Sequence, residues 1–312
     1  MSIANPHLQE ENTADTRLKK AATMASLAVA GILIVTKFMA YAITGSVSIM
    51  SSLLDSAFDM AASFITLLGI IQAAAPADHS HRFGHGKIEA LAAMGQALFV
   101  AGSALFLLFE SLHRFLHPKA IAQPTIGIYV MLLSIALTLL LVLFQKYVID
   151  KTQSVAVSAD HLHYKGDLLM NLGVIATITA SMYTPWPYLD PLFAGAVALY
   201  LLYGARDIGR DSVDILLDRE LPDADREKIL ALASSHPAAR AVHDLRTRTT
   251  GDRMFIEFHL EMDADMSLSA AHDVTEEIEK ILYDSFPKSE VIIHQEPYGI
   301  DDHRLDDQIA KA

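Results

Sequence analysis

The sequence predicts an all-α, six-helix transmembrane bundle followed by a small α+β domain with the element order αββαβ. Three observations predict it. Residues 21–210 hold six apolar runs, each near the ~20 residues that cross a hydrocarbon core. The chain is 52% apolar with a mean hydropathy of +0.30, high for a soluble protein. Over 211–298 the pattern changes to one amphipathic helix, two alternating strands, a second helix and a third strand.

In chain order, residues 1–20 form a polar tail ending in Arg17-Leu-Lys19-Lys20. The apolar runs follow at 22–44, 48–74, 88–112, 125–145, 157–182 and 188–205. A polar loop, Pro76 to Lys87, separates the second run from the third. Pro222-Asp-Ala-Asp-Arg-Glu then opens a capped helix. Val242-His-Asp-Leu-Arg and Met254-Phe-Ile-Glu-Phe-His alternate apolar with polar residues, as half-buried strands do. Thr249-Thr-Gly-Asp between them is a hairpin signal. Ser267 or Ser269 caps a helix that runs to Phe286, and Glu290-Val-Ile-Ile-His-Gln is the third strand. Two helices covering a small open sheet follow from this order. Residues 299–312 are polar and expected to be loose.

Charge excludes some function classes. The net charge is −13. Residues 219–312 carry 21 acidic against 11 basic side chains, a net of −10 beside six histidines. Such a segment disfavours nucleic acid and tolerates cations. Cysteine is absent, so thiolate ligands are unavailable and copper(I) is disfavoured. No cleavable leader is evident in the polar first twenty residues. With the N-terminus inside, the inner flanks hold Arg17, Lys19, Lys20, Arg82, Lys87, Lys146, Lys151, Arg206 and Arg210, against Arg114 and Lys119 outside. The excess of inner basic residues puts both termini in the cytoplasm.

Acidic residues inside the apolar runs carry the chemistry. Asp55 and Asp59 are four apart in the second run, and His163 and Asp167 are four apart in the fifth. Each pair therefore shares one helix face. Four ionisable groups at that depth cost on the order of 10 kcal/mol to insert, which demands a common purpose. Facing each other they offer three oxygens and one nitrogen, a set suited to tetrahedral Zn²⁺. Asp160 and His161 are expected at the membrane surface, as a solvated helix end. Asp78, His81 and His85 fit either a three-ligand site or a plain polar loop. His243, His259, His272, His294 and Glu296 fit a site for one or two divalent ions, or scattered surface histidines. No His-Glu-x-x-His or Gly-x-Ser-x-Gly is present. An intramembrane metallohydrolase and a membrane-bound metal sensor are the rival readings.

With those residues laid out, the chain resembles the cation diffusion facilitator family over about residues 17–298. The likeness rests on Asp55-x-x-x-Asp59, the Asp78-His-x-His-Arg-x-Gly-His85 loop, Leu162-His163-Tyr-Lys-x-Asp167, Leu216-Leu-Asp-Arg-Glu, His243-Asp-Leu-Arg-Thr-Arg and Ile292-Ile-His294-Gln. It implies a metallochaperone-like cytoplasmic domain, a homodimer and a multi-pass place in the inner (plasma) membrane. It also implies proton-coupled export of Zn²⁺, with Cd²⁺ and Fe²⁺ as further substrates and no organic cofactor. The transport site then falls on Asp55, Asp59, His163 and Asp167, a second site on Asp78, His81 and His85, and a two-metal cytoplasmic site on the histidine cluster. Position 296 departs from the pattern, being Glu where Asp is expected. Lys87 and Asp218 match an interlocking charge pair of the family.

Overall fold

The computed structural model describes residues 6–45, 47–117, 125–181, 186, 188–251, 253–299 and 304–309. Six long helices come first: α1 (Pro6–Thr44), α2 (Val47–Ala73), α3 (Lys87–Leu116), α4 (Thr125–Thr152), α5 (Val155–Ser181) and α6 (Leu189–Leu216). Then follow α7 (Asp223–Ala233), β1 (Ala241–Thr249), β2 (Met254–Met262), α8 (Leu268–Ser285), β3 (Ser289–Pro297) and the short α9 (Leu305–Ile309). Thr13–Val213 is one compact unit, and Asp214–Ala312 makes up most of a second.

The polar stretch before residue 21 is helical from Pro6, where α1 begins. One expectation needs correction: the C-terminal stretch is not uniformly loose. Leu305 and Asp306 donate their backbone N–H groups to Asp244 (2.8 and 2.9 Å), and Asp306 accepts from the Asp244 N–H at 2.9 Å. Residues 1–5, 300–303 and 310–312, like Lys119, lie outside the described residues.

Length and composition make α1, α2, α3, α4 and α6 long and apolar enough to cross a membrane. Their apolar side chains largely face outward, with Phe109 70% and Leu140 66% exposed, as a lipid-facing surface requires. Helix α5 carries Asp160, His163, Lys165 and Asp167 in its first half and falls short of that hydropathy. Most of these groups are covered by neighbouring helices. Leu162 joins Val100, Ala104, Val197 and Leu201 in one cluster, and Tyr164 and Leu168 join Leu141 and Val142 in another.

The entry to α5 is built locally. Gln153 ends α4 in the left-handed region (φ 51), with its N–H on the Ile149 carbonyl at 2.8 Å. Ser154 then caps α5 by accepting from the Val157 N–H at 3.2 Å. Its hydroxyl also donates to Glu89, which pairs with Lys19 at 2.8 Å. A buried three-way clasp thereby joins α1, α3 and the start of α5. Small residues let helices close up: a Cβ at Gly69 on α2 would sit 2.4 Å from the Ala92 Cβ on α3.

The second unit has the sheet order β1-β2-β3, with β1–β2 antiparallel and β2–β3 parallel. One sheet face supplies Leu245, Ile256, Phe258, Leu260 and Val291 to a core with Ile229 of α7 and Ile278 and Leu282 of α8. The hairpin closes through the Thr250 N–H on Arg253 O at 2.9 Å, with Gly251 at φ +100. Ser267, one of the two expected caps, accepts from the Ala270 N–H. Asp244 holds φ 51 at a bulge in β1, next to His243.

Candidate metal centres

A cavity of about 740 Å³ opens between the six long helices. Helix α2 lends it Asp55 and Asp59, and α5 lends it His163 and Asp167. The two i,i+4 faces do meet. His163 Nε2 is 2.9 Å from Asp59 Oδ1 and 3.6 Å from Asp167 Oδ2. Asp59, His163 and Asp167 each offer a ligand atom, all within 4.8 Å of one another. Asp55 lines the same cavity one turn earlier on α2 but stands outside that tight group. Phe99 and Tyr164 hold the imidazole edge-on, with ring centroids 5.7 and 5.4 Å away. Lys37 of α1 also lines this cavity. A lone lysine in an apolar run is itself a signal of intramembrane function.

Asp160 is not a solvated helix end. It is 1% exposed and bound by three helices. Its Oδ2 accepts from Ser26 Oγ (2.6 Å, α1) and Gln145 Nε2 (2.8 Å, α4), and its Oδ1 accepts from Ser63 Oγ (2.9 Å, α2). The Tyr164 hydroxyl donates to the Ser26 carbonyl at 3.3 Å. A carboxylate this deep is tolerable because hydrogen bonds replace its water.

The loop before α3 gathers a second group. Asp78 Oδ1 accepts the backbone N–H groups of His81 (2.6 Å) and Ser80 (2.8 Å). These donors, His81 foremost, hold the Asp78 carboxyl below its ordinary range. His81 Nδ1 lies 3.2 Å from Asp78 Oδ1, and His85 Nε2 3.4 Å from Oδ2. His85 Nδ1–H donates to the Pro76 carbonyl at 3.2 Å, which turns its Nε2 towards Asp78. Gly84 turns the loop at φ +81.

The strand register builds the third group. His243, His259 and His294 stand side by side across β1, β2 and β3. Glu296 reaches all three: His259 Nδ1 at 2.7 Å, His243 Nε2 at 3.3 Å and His294 Nε2 at 3.5 Å. The longer side chain at 296 thus spans the row. His259, Glu296 and His243 form a tight ligand group. His272 is not brought in. It sits exposed on α8 beside Glu276 at 3.4 Å. Phe258 points to the α8 side of the sheet, so the alternation of β2 sends His259 to the opposite face.

Sequence reading missed the surroundings of His243. Glu261, two residues beyond His259 and 4% exposed, lies 3.3 Å from His243 Nδ1, out of line for a hydrogen bond. Arg304 binds the same carboxylate. Burial opposes ionisation of Asp244, but the N–H groups of Asp306 and Leu305 outweigh it and hold its carboxyl below the usual range. Asp218, the expected interlock residue, stands 3.5 Å from Arg248. All three groups offer nitrogen with oxygen, a donor set that fits divalent transition metals such as zinc.

The cation efflux transmembrane domain matches residues 23–217, and the cytoplasmic domain of cation efflux proteins matches 221–298. The chain is 43% identical to the cation-efflux pump FieF of Salmonella choleraesuis (strain SC-B67), over 91% of this chain and 94% of that one. It is 44% identical, with the same coverage, to FieF of Salmonella schwarzengrund (strain CVM19633). Among solved structures it is similar to CzrB in its zinc form, at 38% identity over 28% of this chain and 99% of that one, TM-score 0.26. It is also similar to the metal-bound C-terminal domain of the CzcD transporter from Thermotoga maritima, at 30% identity over 26% and 100%, TM-score 0.24. The chain belongs to the cation efflux, or cation diffusion facilitator, family, and is a multi-pass membrane transporter that expels cations.

Proposed function

We propose that the protein exports Zn²⁺ from the cytoplasm in exchange for protons, with Cd²⁺ and Fe²⁺ as further substrates. Asp55, Asp59, His163 and Asp167 bind the ion inside the membrane. The observation that carries this is His163 Nε2 standing between the Asp59 and Asp167 carboxylates in a cavity lined by the long helices. Three oxygens and an imidazole favour zinc, whereas an all-oxygen set drifts towards harder ions such as Mn²⁺. Imidazole titrates near neutrality and must be neutral to bind metal, so protons and metal compete for it.

In this reading the protein is a homodimer in the inner (plasma) membrane with both termini in the cytoplasm, supported by the excess of basic residues on the inner flanks. The second unit is then cytoplasmic. Its group of His243, His259, His294 and Glu296 stabilises or regulates the dimer, as does the group of Asp78, His81 and His85. Neither lies within the apolar spans, so neither carries the ion across. Moving two charges outward against 100 mV costs about 4.6 kcal/mol. One returning proton offsets about half of that, so one-for-one exchange also needs a pH gradient.

Zinc flux into sealed proteoliposomes tests this reading, because a metallohydrolase or a sensor moves no ion. Wild-type protein should accumulate Zn²⁺ under a pH gradient. Asp167→Ala should lose flux while remaining folded, and His163→Asp should shift preference towards Mn²⁺ or Fe²⁺. Unchanged zinc preference in His163→Asp would remove the imidazole as the selective ligand.

A further inference from the structure

The transport cavity contains a cation of its own. Lys37 of α1 reaches across to α2, where its Nζ donates to the Ser56 hydroxyl at 2.7 Å and to the Ser52 carbonyl at 3.1 Å. Both acceptors lie on the stretch that carries Asp55 and Asp59. Lys37 lines the same cavity as the ligand residues Asp55, Asp59 and Asp167. No described carboxylate forms an ion pair with it; its hydrogen bonds go to neutral oxygens. The ammonium is therefore held near the three carboxylates without closing onto any of them.

Charge gives this placement a meaning. Among the described residues, the lining of the cavity holds three carboxylates and one ammonium, so with His163 neutral two negative charges remain uncompensated. That is the charge of one divalent ion. Without Lys37 the site would keep a net negative charge after a divalent ion had bound. It would then hold that ion harder than a carrier that must release it can tolerate.

We propose that Lys37 is the resident counter-cation of the transport site, matching it to a divalent ion and weakening its hold so that the ion leaves. This rests on the reading of the cavity as the transport site. The ammonium repels the bound ion across a protein interior whose effective dielectric is about 20. At equilibrium that repulsion lowers affinity, and in turnover it speeds release. Ser52 and Ser56 fix its reach, so the repulsion acts from α1 without blocking the ligand atoms.

Lys37→Gln removes the charge and keeps hydrogen-bond donors for Ser52 and Ser56, while Lys37→Arg keeps the charge. The test uses full-length protein in proteoliposomes for flux. It uses the same protein in detergent for Zn²⁺ titration, with His81, His243 and His259 replaced by alanine so that the transport site is read. Lys37→Gln should bind Zn²⁺ at least about tenfold more tightly, with a lower KM and a maximal rate reduced about fivefold or more by slow release. Lys37→Arg should stay near wild type. A merely structural clasp between α1 and α2 would lower the rate without tightening binding. Unchanged or weaker zinc affinity in Lys37→Gln overturns the proposal, as does Lys37→Arg behaving like Lys37→Gln. If Lys37→Gln does not fold, the double variant Asp55→Asn/Lys37→Gln, which removes one charge of each sign, keeps the question answerable. It should bind Zn²⁺ more tightly than Asp55→Asn alone, and equal or weaker binding overturns the proposal. Full flux in Asp167→Ala would sink the transport site itself. Lost flux in Asp167→Ala with an unaltered Lys37→Gln sinks this inference alone.

Discussion

Asp160 shows how much one side chain can hold in a membrane bundle. It ties α5 to α1, α2 and α4 through Ser26, Ser63 and Gln145, one turn before His163. Removing the carboxylate strands buried donors, each worth about 1–3 kcal/mol. Asp160→Ala should therefore destabilise the membrane unit by about 3 kcal/mol, lowering its unfolding midpoint in detergent. An unchanged midpoint would mean the network is dispensable. The sequence places Asp160 near a helix start, where exposure is the ordinary expectation. Its partners stand 134, 97 and 15 residues away, and nothing local announces them. Asp59, His163 and Asp167 differ, because i,i+4 spacing in two apolar runs announces a shared face. Lys37 was legible by the same rule, as an ionisable residue inside an apolar run.

At the scale of elements, periodicity carried furthest in the second unit. Period-two alternation in β1 and β2 and a hairpin signal at Thr249-Thr-Gly-Asp correspond to the observed hairpin. The register that sets His243, His259 and His294 in a row needed the structure, since a parallel β2–β3 pairing is not written in either strand. The bulge at Asp244 and the docking of α9 were equally hidden, because a short polar tail has no apolar stripe to read. Asp244 accepts two N–H groups at the start of α9, so Asp244→Ala should release that segment. Hydrogen exchange on the full-length protein should then show faster exchange at residues 305–309, with β2 unaffected. The pH dependence follows from the lowered carboxyl of Asp244. A carboxylate depressed in the folded state contributes stability above its unfolded pKa of about 3.9 and loses it as pH falls through the lower folded value. Protection of 305–309 should therefore persist through mildly acidic pH and fail below about pH 4. Loss of protection already near pH 6 would assign the docking to other groups.

For the whole molecule, charge and hydropathy divide the labour. The apolar helices present large side chains outward, while Asp160 of α5 turns into the bundle and His163 and Asp167 onto the cavity. The acidic second unit gathers histidines on the sheet face left free by α7 and α8. Composition foretold both units. It did not foretell that Glu296 touches three histidines or that His272 stands apart from them.

The central claim is that metal and protons use one intramembrane site in turn. The most direct test is Zn²⁺ titration of the full-length protein from about pH 7.5 to 5.5, with the Asp78–His81–His85 and His243–His259–Glu296 groups removed by mutation. Free imidazole titrates near 6.5, within that window, whereas ordinary carboxylates titrate near 4. Apparent affinity should fall at least about tenfold across the range as protons displace metal from His163, and residual binding in His163→Ala should depend on pH more shallowly. An affinity that stays flat from pH 7.5 to 5.5 would contradict exchange of protons for metal at this site.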